Sequence, residues 1–301
     1  MTRSPRSFPP PVLCYHRIGG PFELGVTRVS QAVFSRQMES LARAGWRTLN
    51  LAGFADSQPT AAPPRTFLLT FDDGYASLAD HAYPVLERLG FTATTFVITD
   101  FIGRDNSWDV RYTWRRLPHL AWPEIERWQA KGFSFASHGA RHRRLTWLDD
   151  DAVADDLGRA RTALVDRLGA DAGRAIAYPF GAVDARVQRL AGHAGYELGF
   201  GGVAGDHGSL LNLPRVPVYM WDAGDTPFGL RDDGLGVLGR FVAHIANRCA
   251  VGTSLMLQLR PTGRIGPRPG SIAGVSPTHG QISAPKTASP AESHSPCEPI
   301  R

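Results

Sequence analysis

The sequence predicts an α/β fold built on a parallel sheet, and three observations carry that expectation. Short apolar runs alternate with segments of helical period along most of the chain. The run 66–71, Thr-Phe-Leu-Leu-Thr-Phe, is apolar almost without interruption, which marks a strand buried on both faces. Turn-forming residues, among them Gly45, Gly90 and Gly195, cut the chain where the period changes. Strands and helices in this alternation build a parallel sheet, open or closed into a barrel.

The elements follow in order. Residues 12–16 come after a run of prolines and predict the first strand. Residues 31–44 place Phe34, Met38 and Leu41 at helical spacing and end at Gly45. A short strand over 46–51 precedes a Pro/Ala linker over 57–64. The buried strand 66–71 stops at Asp72-Asp73-Gly74, and 76–89 predict a helix closed by Gly90. Residues 93–98 form the next strand, 122–131 a helix and 133–137 a strand. Residues 150–168 predict a helix with Leu157, Ala160, Leu164 and Leu168 on one face and acidic residues at its start. The rest reads as strand 175–178, helix 184–194, strands 198–200 and 216–219, helix 238–248 and a last strand over 255–259. From Pro261 the composition turns to Pro, Gly, Ser and Thr with no apolar period. The expected organisation is a flexible N-terminus over 1–10, one domain over 11–260 and a disordered tail over 261–301.

Composition bounds the function. With 43% hydrophobic and 20% charged residues in 301, the chain is of ordinary soluble type. A net charge of +5 is small for this length, and no Lys/Arg block interleaves with aromatics, so nucleic acid is not an expected partner. Arg141, Arg143 and Arg144 do cluster, as surplus surface charge or as a site for an anionic substrate. Cys14, Cys249 and Cys297 are odd in number and far apart, which excludes a disulfide framework and a cysteine-type zinc site and suits a reducing compartment. No apolar stretch follows Arg3 and Arg6, so a secretory signal is not expected and the location reads as cytoplasmic. No apolar run reaches about 18 residues, so no transmembrane helix is expected.

Two strings carry the chemistry: Thr70-Phe71-Asp72-Asp73-Gly74-Tyr75 and Ser137-His138-Gly139-Ala140-Arg141-His142. Together they offer adjacent carboxylates and a pair of histidines four apart. Two imidazoles and one carboxylate suffice to hold a divalent ion with positions left open, and such an ion activates water and polarises a carbonyl. The second carboxylate is then available as a base. Successive residues leaving a strand point to opposite sides, so the two aspartates can hold different jobs. Alone, a His-x-x-x-His among ten histidines or an Asp-Asp-Gly turn is also read as plain structure. Both strings lie at predicted strand ends, where β/α folds place their chemistry.

The first string resembles the first motif of the polysaccharide deacetylase (NodB-homology) family, and Ser137–His142 with Leu145-Thr146 resembles the second. Ala177-Tyr178-Pro179-Phe180-Gly181 is similar to the third. Leu13-Cys14-Tyr15-His16-Arg17 and Asn212-Leu213-Pro214-Arg215-Val216 resemble the subgroup that trims poly-N-acetylglucosamine. The likeness spans about residues 10–260. It implies a distorted (β/α) barrel with fewer than eight regular strands. It implies Asp73, His138 and His142 as ligands of a divalent metal, zinc by default with nickel or cobalt also suited, and Asp72 as general base. It implies that metal-bound water attacks an N-acetyl group of an amino-sugar glycan or precursor, with the Phe180 N–H holding the oxyanion.

The sequence departs from that pattern twice. The arginine expected two residues before the motif-three proline is Ala177, which leaves Arg215 either as the tether of Asp72 or as a surface arginine. The late Leu-x-His is Leu257-Gln258-Leu259, and glutamine cannot deliver a proton. That gap keeps open a catalytically impaired glycan-binding relative, and a metal-dependent amidase for non-sugar amides is the third reading. His16 either faces the same pocket or is a satisfied structural histidine; His207 and His244 have no evident partner. Asp222 and Asp225 read as a loop of acids, and Trp108, Trp114 and Trp221 either stack on sugar or pack.

Overall fold

Burial on both faces is what the run Thr66–Phe71 demands, and all six residues are buried. The computed structural model describes residues 10–20, 26–56, 63–108, 116–203, 205, 208–227 and 230–231. Its strands are β1 (Val12–Tyr15), β2 (Arg17–Ile18), β3 (Arg28–Val29), β4 (Arg47–Leu49), β5 (Thr66–Phe71), β6 (Thr94–Val97), β7 (Ser134–Ser137), β8 (Ala175–Ala177), β9 (Leu198–Phe200) and β10 (Val216–Pro217). Its α-helices are α1 (Gln31–Arg43), α2 (Leu51–Asp56), α3 (Ser77–His81), α4 (Tyr83–Arg88), α5 (Trp122–Gln129), α6 (Asp150–Leu168) and α7 (Ala185–His193).

The main sheet is parallel, in the order β10-β1-β5-β6-β7-β8-β9. β5 is its fork. β1 pairs along one edge, while β4 takes the first half of the other edge and β6 the second. The two ends of the curled sheet are joined by one segment. The Leu213 N–H donates to Gly199 and the Gly201 N–H to Leu213, then Val216 pairs with Leu13. This is the distorted, seven-strand barrel path with β4 beside it. β2 and β3 form a separate two-stranded ribbon that the apolar pattern does not announce.

Alternation along β5 divides the core. Phe67, Leu69 and Phe71 pack with Phe34 and Met38 of α1 and Tyr83 of α4, whereas Leu68 joins Val12, Phe96, Ala136 and Phe200 on the opposite face. Side-chain caps set three helix starts: Ser30 on Val33, Asp149 on Ala152 and Asp184 on Val187. No described helix is long and apolar enough to cross a membrane.

Several boundaries differ from expectation. The helix over 76–89 is two, α3 and α4, because Pro84 in the first turn of α4 has no N–H to continue the ladder. The strand over 46–51 stops at Leu49, and α2, one turn too short to show a period, buries Leu51 and Phe54 instead. Only Val216–Pro217 of 216–219 pairs. The predicted helix 238–248, strand 255–259 and tail lie outside the described residues, as do 1–9 and most of the linker.

One buried polar group fastens α1 to the sheet. Gln37, with no exposed surface, accepts from the Tyr15 hydroxyl at 2.8 Å and donates to the Asp222 carbonyl at 2.7 Å. Gln37→Leu keeps volume but strands both partners, so urea unfolding should show a loss of about 1–3 kcal/mol; an unchanged midpoint would contradict this account.

Candidate metal centre

At the end of β5 the backbone turns sharply, and Asp73 and Gly74 both have φ of 70°. Left-handed backbone is unfavourable for a residue with a Cβ, by roughly 1–2 kcal/mol. Four described non-glycine residues adopt it, and three of them, Asp73, His142 and Phe180, lie here. Strain is therefore concentrated where function is suspected. At Gly74 a Cβ would sit 2.8 Å from Val97 Cγ1, so the turn also needs the missing side chain.

His138 follows β7. Its Nδ1–H donates to the Ala177 carbonyl at 2.7 Å, which leaves the Nε2 lone pair facing the cleft. The Nε2 atoms of His138 and His142 each lie 3.4 Å from Asp73 Oδ1, a buried oxygen without a hydrogen bond. Three ligands at zinc-like bond lengths of about 2.0–2.1 Å on a tetrahedron would be about 3.3–3.4 Å apart. The donor atoms of this trio all fall within 4.8 Å of one another, so the residues fit a divalent ion. Burial pushes the His142 imidazole down to about 3, keeping it in the neutral form a ligand requires. Burial also acts on His138, but Asp72 and Asp73 outweigh it and raise its pKa.

The turn carrying both histidines is held from α6. Asp156, fully buried, accepts the Ala140 N–H at 2.8 Å. A Cβ at Gly139 would come 2.8 Å from the same carboxylate, which explains that glycine. Sequence reasoning placed Asp156 on a helix and gave it no role; an acid on the helix face that carries Val153, Leu157 and Ala160 was the available signal.

Asp72 is gripped by Arg215, Nη1 to Oδ1 at 2.7 Å and Nη2 to Oδ2 at 2.8 Å. Both side chains are buried. Of the two placements open to Arg215, the structure has the internal one, and Arg215 Nε also donates to Gly201 at 3.2 Å. Burial alone would raise Asp72, but the guanidinium holds it well below the usual carboxylate range. The Cys14 thiol, pushed up by burial, donates to Asp72 Oδ2 at 3.5 Å. The same oxygen is 3.9 Å from His138 Nε2, so base and ligand cluster share one cavity wall.

His16 lies just past β1, with a ring nitrogen within 4.8 Å of the Cys14 sulfur and an Asp72 oxygen. Its Nδ1 is buried with no hydrogen-bond partner among the described residues. The Phe180 ring packs on His142 at 4.6 Å, and the Gly181 and Ala182 amides, not that of Phe180, close the turn there. The arginine cluster is committed elsewhere: Arg141 to Asp100, Arg143 to Asp156 and Arg144 over Trp147. Asp222 and Asp225 pair with Arg231 and Arg36, away from the trio, and Trp221 packs on Tyr219 while remaining 41% exposed. Trp114, His207, His244 and Gln258 lie outside the described residues.

Residues 60–199 match the model of the polysaccharide deacetylase family. YxkH of Bacillus subtilis (strain 168), described as a candidate polysaccharide deacetylase, is 28% identical over 214 residues, 69% of this chain and 71% of that protein. A polysaccharide deacetylase from Bacillus cereus is 27% identical over 69% of this chain and 64% of its own, with a TM-score of 0.58. The Streptococcus pyogenes deacetylase PplD shares the fold at a TM-score of 0.61 and 22% identity, over 70% of this chain and 92% of its own. Residues 60–199 therefore form a domain of polysaccharide deacetylase type.

The Asp72–Arg215 pair makes stability depend on pH. With its folded pKa below the ordinary value of 3.8, Asp72 is protonated first in the unfolded chain. The stabilisation is complete above about pH 4 and is lost as pH falls through the folded pKa. Arg215→Met leaves a buried carboxylate unpaired and should cost about 3–5 kcal/mol near neutrality. It should also flatten the acid limb of the stability–pH curve, measured by urea unfolding from about pH 1.5 to about pH 5; an acid limb matching wild type would rule the pair out as its source.

Proposed function

We propose that this chain, with a polysaccharide deacetylase domain over residues 60–199, hydrolyses the N-acetyl group of an amino sugar in a glycan or sugar precursor and releases acetate. One observation carries the reading: a buried carboxylate oxygen and two imidazole nitrogens converge on one point beside a second, ionised carboxylate. Asp73, His138 and His142 would hold a divalent ion, zinc by default with nickel or cobalt also suited, which when bound lowers the pKa of water and polarises the amide carbonyl.

The chain's own groups supply the remainder. Asp72 Oδ2, the carboxylate oxygen nearer His138, takes a proton from the attacking water. Arg215 makes Asp72 a weaker base but keeps it deprotonated and fixes which lone pairs face the cleft. The Phe180 N–H is the donor for the carbonyl oxygen as it becomes negative. An amine leaves poorly unless protonated, and His16 is the donor we assign for that step, in place of the late histidine that the sequence lacks. Water adds across the C–N bond, and acetate and a free amino sugar result.

Elemental analysis and acetate release from N-acetylglucosamine oligomers test this. Asp73→Ala should lose metal, whereas Asp72→Asn should keep metal and lose activity by at least about a hundredfold. Equal metal loss in both variants would refute the division of roles. His16→Ala should slow amide hydrolysis yet spare p-nitrophenyl acetate, whose leaving group needs no proton; equal slowing of both substrates would remove His16 from the acid role.

A further inference from the structure

The two candidate imidazole ligands are oriented by different means. His138 is fixed by its hydrogen bond to Ala177. His142 has no such anchor: its Nδ1 is buried without a partner among the described residues. A metal-binding histidine ordinarily donates its second ring N–H, and that bond sets the ring plane. Among the described residues the His142 ring is held by packing, from Trp108 at 4.0 Å between centroids, Phe180 at 4.6 Å and His138 at 4.9 Å.

Trp108 is itself held. Its indole Nε1–H donates to His119 Nε2 at 3.1 Å. The other nitrogen of His119 lies 3.0 Å from the Arg104 carbonyl, so Nδ1 carries the proton and Nε2 is left as acceptor. His119 is 4% exposed and stacks on Tyr75 at 5.1 Å with rings 20° apart. Its two nitrogens thus join a loop carbonyl to the indole.

We infer that Arg104, His119 and Trp108 form a brace that fixes the His142 ring for metal binding, with His119 and Trp108 as positioning residues. The inference rests on the metal reading of Asp73, His138 and His142. It assigns to aromatic packing a task that hydrogen bonding performs at His138.

Zinc affinity of the full chain, measured by competition with a chromophoric chelator, tests the brace without relying on turnover. Wild type should bind one equivalent. Trp108→Ala should bind about tenfold more weakly, the lower end for losing an outer-sphere partner, while Trp108→Phe, which keeps an aromatic face but loses the bond to His119, should fall between it and wild type. His119→Ala should weaken zinc in the wild-type background, His119→Gln should restore it, and His119→Ala should add nothing in the Trp108→Phe background, which lacks the indole donor. Circular dichroism and thermal melts of each variant establish that the fold is retained. A Trp108→Ala chain with wild-type affinity overturns the brace. So does His119→Ala weakening zinc equally in both backgrounds, since it then acts through Tyr75. A wild-type chain that takes up no zinc defeats the metal reading itself, an outcome distinct from the other two.

Discussion

The buried ion pair between Arg215 and Asp72 is the constraint on which the rest depends. Neither charge has water to solvate it, so each requires the other, and the two-point geometry at 2.7 and 2.8 Å permits one relative placement. That placement fixes where β5 ends relative to the segment joining the sheet's two edges. The same segment bonds to β9 through Leu213 and to β1 through Val216. Electrostatics at the centre and hydrogen bonding at the seam therefore select the same closed arrangement.

Around that pair the backbone is bent against its preferences. Asp73, His142 and Phe180 hold left-handed conformations, and each belongs to a turn leaving a strand, β5, β7 or β8. Such turns persist because their surroundings over-determine them. At Asp73 the next residue is a glycine packed against Val97; at His142 the turn is tied to Asp156 on α6; at Phe180 a Cβ on Gly181 would meet the Gly202 backbone at 2.9 Å. The rigid strands set the origin of each side chain, and the strained turns set its direction.

Much of this was legible in the sequence. The unbroken apolar run 66–71 forecast a doubly buried central strand, and β5 is that strand. The two motifs were placed at strand ends, and the structure brings Asp72, Asp73, His138 and His142 together there. What escaped was non-periodic or non-local. α2 and the β2–β3 ribbon are too short to show a repeat. The break between α3 and α4 follows from Pro84, whose effect was outweighed in the reading by the apolar pattern around it. The His16 Nδ1 without a partner among the described residues and the link from Trp108 to His119 depend on tertiary packing, and no local rule encodes them.

The fork at β5 and the seam opposite have a consequence for biosynthesis. Asp72 and Arg215 are 143 residues apart, and four of the ten described strands, β6 to β9, lie between them in sequence. A ribosome emits β1, β5 and both motifs well before Arg215 appears. Until then Asp72 has no counter-ion and the sheet's first edge stays open, so a truncated product ending before the seam would display an unpaired strand and a misplaced acid. Completion of the barrel and arming of the carboxylate thus coincide in one late event of vectorial folding.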